Sequence, residues 1–99
     1  MRLLPDQLDT ISRTVAELAG GDATVRLFGS RVDDAARGGD IDLLVELPEP
    51  VARPAVLAAD IAARIERRLG GRKVDVLLAA PNLQTLPIHA VARATGELL

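Results

Sequence analysis

Leu8, Ile11, Val15 and Leu18 recur at intervals of three and four, the spacing that lines one face of an α-helix. Pro5 suits a first turn, where its missing N–H costs nothing, and Gly20-Gly21 suits a stop, so a helix is predicted over residues 5–19. The β-favouring run Thr24-Val25-Arg26-Leu27-Phe28 then predicts a strand over 23–28 that ends at Gly29. Ser30 stands where a helix N-cap would, ahead of a short polar helix over 31–37 that Gly38-Gly39 terminates. The apolar run Ile41-Asp42-Leu43-Leu44-Val45-Glu46-Leu47 predicts a second strand.

Pro48-Glu49-Pro50 breaks the chain, after which Leu57, Ile61, Ile65 and Leu69 repeat every fourth residue and predict a long amphipathic helix over 54–69. Gly70-Gly71 closes it, and Lys73-Val74-Asp75-Val76-Leu77-Leu78 reads as a third strand. From Asn82 onward the apolar spacing predicts short helices interrupted by Pro87, ending near Gly96 with an apolar tail of Leu98-Leu99. The order α-β-α-β-α-β-α predicts an α/β (α+β) fold: one small mixed sheet of three or more strands packed with helices. The Gly-Gly pairs at 20, 38 and 70 are unequally spaced and mark turns rather than a repeat.

The chain has 99 residues, so the whole of 1–99 is expected to form one domain around one core. With 48% hydrophobic and 26% charged residues, the composition is that of a globular chain. Phe28 is its only aromatic residue, which excludes a base-stacking platform, and the formal charge of −2 leaves no surplus of cations to track a phosphate backbone. Stable nucleic-acid binding is therefore not expected. Zero cysteines exclude disulfides and thiolate metal sites, and with no secretory h-region they predict a cytoplasmic location. Charged residues interrupt every apolar stretch well short of a membrane span.

Within this frame three aspartates stand out. Residues i and i+2 of a strand share a face, so Asp40 and Asp42 point the same way, about 6–7 Å apart along the strand, if the strand begins near Asp40. Asp75 interrupts the next strand, and a buried strand gives no reason for a carboxylate there. Three carboxylates converging at one sheet edge suit hard divalent cations such as Mg²⁺, and two ions bridged by carboxylates suit phosphoryl transfer. Gly29-Ser30, between a strand and a short helix, offers backbone N–H groups and a hydroxyl to phosphates, and Arg31 adds a fixed positive charge.

Leu27-Phe28-Gly29-Ser30-Arg31, then nine residues after Ser30, then Asp40-Ile41-Asp42-Leu43, then Val74-Asp75-Val76 together resemble the DNA polymerase beta superfamily, most closely its minimal nucleotidyltransferases. The resemblance spans residues 25–78 by motif, and three separated motifs agree in residue type, order and context. It implies a palm-like domain in which Gly29 and Ser30 bind a triphosphate, Arg31 takes a less uniform position there, and Asp40, Asp42 and Asp75 are metal ligands and catalytic residues. It further implies ATP as nucleotide donor, and a HEPN-type helical toxin as partner, to whose tyrosine AMP is transferred so that the chain acts as an antitoxin. That the chain stops soon after Gly96 leaves little for an acceptor site, an expectation that agrees with a separate partner.

Two other readings stand beside this one. The acceptor is a small molecule or an RNA end, or the chain is a non-catalytic antitoxin that masks its partner, for which exposed Leu86, Ile88, Val91, Leu98 and Leu99 would serve. Plainer roles exist for single residues as well: Asp75 as an edge-strand charge, Ser30 as a simple N-cap. Asp33 and Asp34 read as solvent-facing, Arg64, Arg67, Arg68, Arg72 and Lys73 mainly as a solvated face suited to a helix C-terminus, and His89 as a satisfied surface histidine or a partner contact.

Overall fold

The computed structural model describes residues 3–28 and 41–99. Helix α1 (Pro5–Ala19) leads into strand β1 (Thr24–Phe28); β2 (Ile41–Glu46), helix α2 (Pro54–Arg68) and β3 (Val74–Ala79) follow. Helix α3 (Pro87–Thr95) and a two-residue strand β4 (Glu97–Leu98) complete the described part. The strands form one mixed sheet in the order β3-β2-β1-β4. β1 runs antiparallel to β2 and β4, whereas β2 and β3 are parallel and joined through α2 as a βαβ unit.

Period-two alternation decides the layers. Val25, Ile41, Leu43, Val45, Val74 and Leu78 point to one face, where Ile11 and Val15 of α1 and Ile61 and Ile65 of α2 cover them. On the other face Phe28, Leu44 and Ala79 pack against Ala92 of α3. The middle strand β2 is buried from both sides, and Leu43, Leu44 and Val45 are fully enclosed. Arg68, expected in a solvated face, instead joins the two covering helices. Its guanidinium donates to Thr14 Oγ1 at 2.7 Å and pairs with Glu17 at 3.0 Å.

Among the described residues all three helices begin on a proline, at Pro5, Pro54 and Pro87. Pro87 therefore starts α3 and does not interrupt it, since a proline ring clashes only with a preceding helical turn and none precedes it. In α1 and α3 the side chain at the third helical position reaches back to the N-cap N–H. Leu4 N–H donates to Gln7 Oε1 at 2.8 Å, and Leu86 N–H donates to His89 Nδ1 at 2.9 Å.

His89 is thus buried, not on the surface. Because Nδ1 accepts from Leu86, Nε2 carries the proton and donates to the Leu78 carbonyl at 2.9 Å, pinning the start of α3 to β3. Replacing His89 with alanine strands both backbone groups, and a loss of about 1–3 kcal/mol of stability is expected in chemical denaturation.

The tail after α3 is a strand as well. Leu98 and Glu97 register against Arg26 and Leu27, the Leu99 N–H donates to the Val25 carbonyl at 2.8 Å, and Leu99 packs at the helix-covered core. Gly96 makes the turn possible, because a Cβ there would run into the Ala92 carbonyl oxygen. Leu99 is withdrawn from the expected exposed apolar surface, while Leu86, Ile88, Val91 and Leu98 do stand exposed.

Candidate active site

The register of the sheet assembles the described half of the site. Phe28 lies opposite Asp42, and Asp42 lies opposite Asp75, so the three form one row across β1, β2 and β3. All three strands place these residues on the face that α3 covers only in part, because their neighbours at odd offsets fill the helix-covered core. Asp42 and Asp75 are therefore cross-strand neighbours, with adjacent strands about 4.8 Å apart.

The parallel register that brings them together is set by the end of α2. Gly70 and Gly71, at φ of 75° and 93°, turn the chain out of the helix. Glu66 Oε2 then accepts from the Val74 N–H at 2.9 Å, and the Ile41 N–H reaches the Lys73 carbonyl at 3.0 Å. β3 therefore starts level with β2, and Asp75 comes to rest beside Asp42.

β3 is the sheet's edge, and the Asp75 side chain is 54% exposed, which explains how a carboxylate is tolerated on this strand. Its contact with Lys73, 4.0 Å away on the same strand, is a solvent-exposed pair of little energetic weight. Asp42 is half-buried on the middle strand. A cavity of about 320 Å³ opens on this row, lined by Phe28, Asp42, Asp75, Val76, Leu77 and Ile88. It is two carboxylates set in an otherwise apolar wall.

Gly29, Ser30, Arg31 and Asp40 lie outside the described residues, as do the short helix predicted over 31–37, Asp33 and Asp34. In sequence they fall between Phe28, which is in the acid row, and Ile41, which directly precedes Asp42. Among the described residues no group of three or more His, Cys, Asp or Glu is placed to hold a metal. Asp42 and Asp75 are two of the three expected carboxylates, and their hard oxygen donors, with no nitrogen or sulfur beside them in the cavity wall, fit Mg²⁺.

At the opposite end of the same face Glu46 ties two elements together. It accepts from Arg93 Nε of α3 at 2.9 Å and from Arg26 Nε of β1 at 3.4 Å. Burial pushes the Glu46 carboxyl up, but the hydrogen bonds and charges of Arg93 and Arg26 outweigh it and hold the pKa below the usual glutamate value of 4.5. A depressed folded-state pKa stabilises the fold above the unfolded value, and the contribution disappears as pH falls through the folded one. Urea midpoints measured downward from pH 6 should accordingly fall below about pH 4.5, and Glu46→Gln should flatten that limb.

Sequence reasoning did not single out Phe28, Glu46 or Ile88 for this face. The first two were legible in principle, since Phe28 directly precedes the glycine and Glu46 follows Asp42 by four positions of a period-two strand. Ile88 and Arg93 arrive through the docking of α3, which no local pattern encodes.

A palm-like α+β sheet, with three helices around four mixed strands among the described residues and acids facing each other across adjacent strands, is consistent with a domain of the nucleotide-transferring kind. Residues 8–93 match the family model of the nucleotidyltransferase domain, and the chain belongs to that family. The activity of this domain is nucleotidyl transfer, and the family uses a nucleoside triphosphate with Mg²⁺. No curated protein and no solved structure matches the chain. Among the described residues no helix is long and apolar enough to cross a membrane.

Proposed function

We propose that this nucleotidyltransferase takes AMP from ATP and attaches it to a tyrosine hydroxyl of a HEPN-type protein partner in the cytoplasm, acting as that partner's antitoxin. The observation that carries the transfer chemistry is the register of Asp42 against Asp75 in a chain whose residues 8–93 match the nucleotidyltransferase domain. The partner rests on the resemblance of Gly29-Ser30, Asp40-Ile41-Asp42 and Val74-Asp75-Val76 to the minimal members of the superfamily. Exposed Leu86, Ile88 and Val91, on and just before α3, agree with a protein acceptor, and Ile88 also lines the cavity at the acid row.

In this mechanism Gly29 and Ser30 hold the triphosphate with backbone N–H groups and a hydroxyl, and Arg31 adds charge to the same end. Asp40, Asp42 and Asp75 would hold Mg²⁺, which would supply positive charge against the triphosphate and the departing pyrophosphate. The acceptor oxygen attacks the α-phosphorus in line, the new P–O bond forms, and the bond to the β-phosphate oxygen breaks as pyrophosphate leaves. Asp75, half exposed on the edge strand, takes the acceptor's proton.

The test is to incubate the protein with ATP labelled at the α-phosphate, Mg²⁺ and the product of the adjacent reading frame. Label is expected on a tyrosine of that product. Label on an RNA end or a small molecule with no protein partner present would replace the acceptor. Neutralisation of the partner by a variant that transfers nothing would replace catalysis by masking.

A further inference from the structure

We infer that the cavity beside Asp42 and Asp75 is an acceptor subsite for a phenolic ring, and that Ile88 is its specificity-determining residue. The inference rests on the transfer reading above and deepens its acceptor half. It starts from the composition of the wall. Phe28, Val76, Leu77 and Ile88 supply apolar surface, and the polar groups among the six lining residues are the two carboxylates, side by side at one point.

Such a wall fits a ligand with an apolar body and a single hydroxyl tip that donates to a carboxylate, which describes a phenol. A purine fits it poorly. Its ring nitrogens are acceptors that need donors, and carboxylates offer none. An aliphatic hydroxyl side chain such as serine reaches the acids but leaves the apolar wall uncovered.

The topology assigns the side from which this group approaches. In-line displacement needs the attacking and leaving oxygens on opposite sides of the α-phosphorus. In sequence Gly29-Ser30 follows Phe28, the last residue of β1, and β1 is the neighbour of β2 on one side. Three of the six residues that line the cavity, Asp75, Val76 and Leu77, belong to β3 on the other side of β2, and only Phe28 comes from β1.

Ile88 lines this cavity from α3, one residue before His89, whose two ring hydrogen bonds pin the helix start to β3. It is 41% exposed, so its side chain can be exchanged without opening the core.

The proposal is tested on the full chain with p-cresol as the phenolic probe and adenosine as the purine probe, by following isoleucine, leucine and valine methyl resonances. p-Cresol is expected to shift the methyls of Ile88, Val76 and Leu77 and adenosine to leave them in place. Ile88→Lys is expected to weaken p-cresol binding by about tenfold or more, and Ile88→Leu to preserve it, with both variants retaining the wild-type unfolding midpoint. Shifts with adenosine, no shifts with p-cresol, or equal p-cresol affinity in the Ile88→Lys variant would each overturn the assignment. The transfer reading fails by a different result: α-phosphate transfer that persists unchanged in Asp42→Ala, whatever p-cresol does.

Discussion

Replacing Asp42 with alanine is expected to lower α-phosphate transfer by at least about 100-fold while leaving the protein folded. The expectation follows from where the carboxylate sits. Asp42 occupies the middle strand, in register with Phe28 on one side and Asp75 on the other, on the face that opens into the cavity. A group that supports charge at a reacting phosphate contributes on the order of 3–4 kcal/mol to the transition state, and its removal is read directly as rate.

The carboxylate lies outside the helix-covered core, whose residues on this part of β2 are its neighbours Ile41 and Leu43 on the opposite face. Transfer measured with α-labelled ATP should therefore collapse while the urea midpoint stays within the scatter of a surface change. Asp42→Asn separates charge from shape, since it keeps the volume and loses the anionic ligand, and it should be as inactive as the alanine variant. A variant with full transfer would remove Asp42 from the chemistry.

Leu43→Ala is expected to produce the largest loss of stability. Leu43 is fully enclosed, on a strand with partners on both sides, under the layer formed by α1 and α2. Truncating such a side chain costs about 2–5 kcal/mol, from lost transfer energy and the cavity left behind. For a domain of this size the total is at the lower end of about 5–15 kcal/mol, so a large share of the margin disappears. The urea midpoint should fall with little change in slope. Leu43→Met, which keeps volume, should lose less than about 1.5 kcal/mol. Equal losses in the two variants would mean that the position is not close-packed.

These two predictions concern adjacent residues of one strand, and they separate because neighbouring side chains of a strand point to opposite layers. The alternation was visible in the sequence, where Ile41, Leu43 and Val45 interleave with Asp42, Leu44 and Glu46. Leu44 blurs it, and the reason is tertiary: α3 gives that face a small core of its own with Phe28, Ala79 and Ala92. The long elements were legible for the same cause. α1 was predicted over the residues it occupies, and α2 to within one residue of its end, because each must present one apolar stripe to a sheet.

The end of the chain was read less well. β4 is only two residues long, too short for an alternation to register, and its backbone hydrogen bonds come from β1 rather than from any local preference. His89 was assigned to the surface because polarity predicts exposure. Its burial depends on a backbone N–H three residues earlier and a carbonyl of β3, and only packing brings the second of these within reach.

For the candidate site, the sequence by itself supplied the expectation of three carboxylates, a Gly-Ser pair after a strand and an arginine, in an order and spacing that resemble the polymerase beta superfamily, and the match of residues 8–93 bears out the nucleotidyltransferase domain. Residue type and spacing suffice for that, because a hard cation selects oxygen donors and a phosphate selects N–H groups wherever the chain places them. Only the tertiary structure decided that Asp42 and Asp75 are neighbours and that a largely apolar cavity lined in part by Ile88 adjoins them. Thirty-two residues, among them the rest of β2 and the whole of α2, separate the two acids, and their register follows from how α2 packs and where the Gly70-Gly71 turn releases β3. Such a distance is closed by burial and backbone pairing, which no short stretch of sequence encodes.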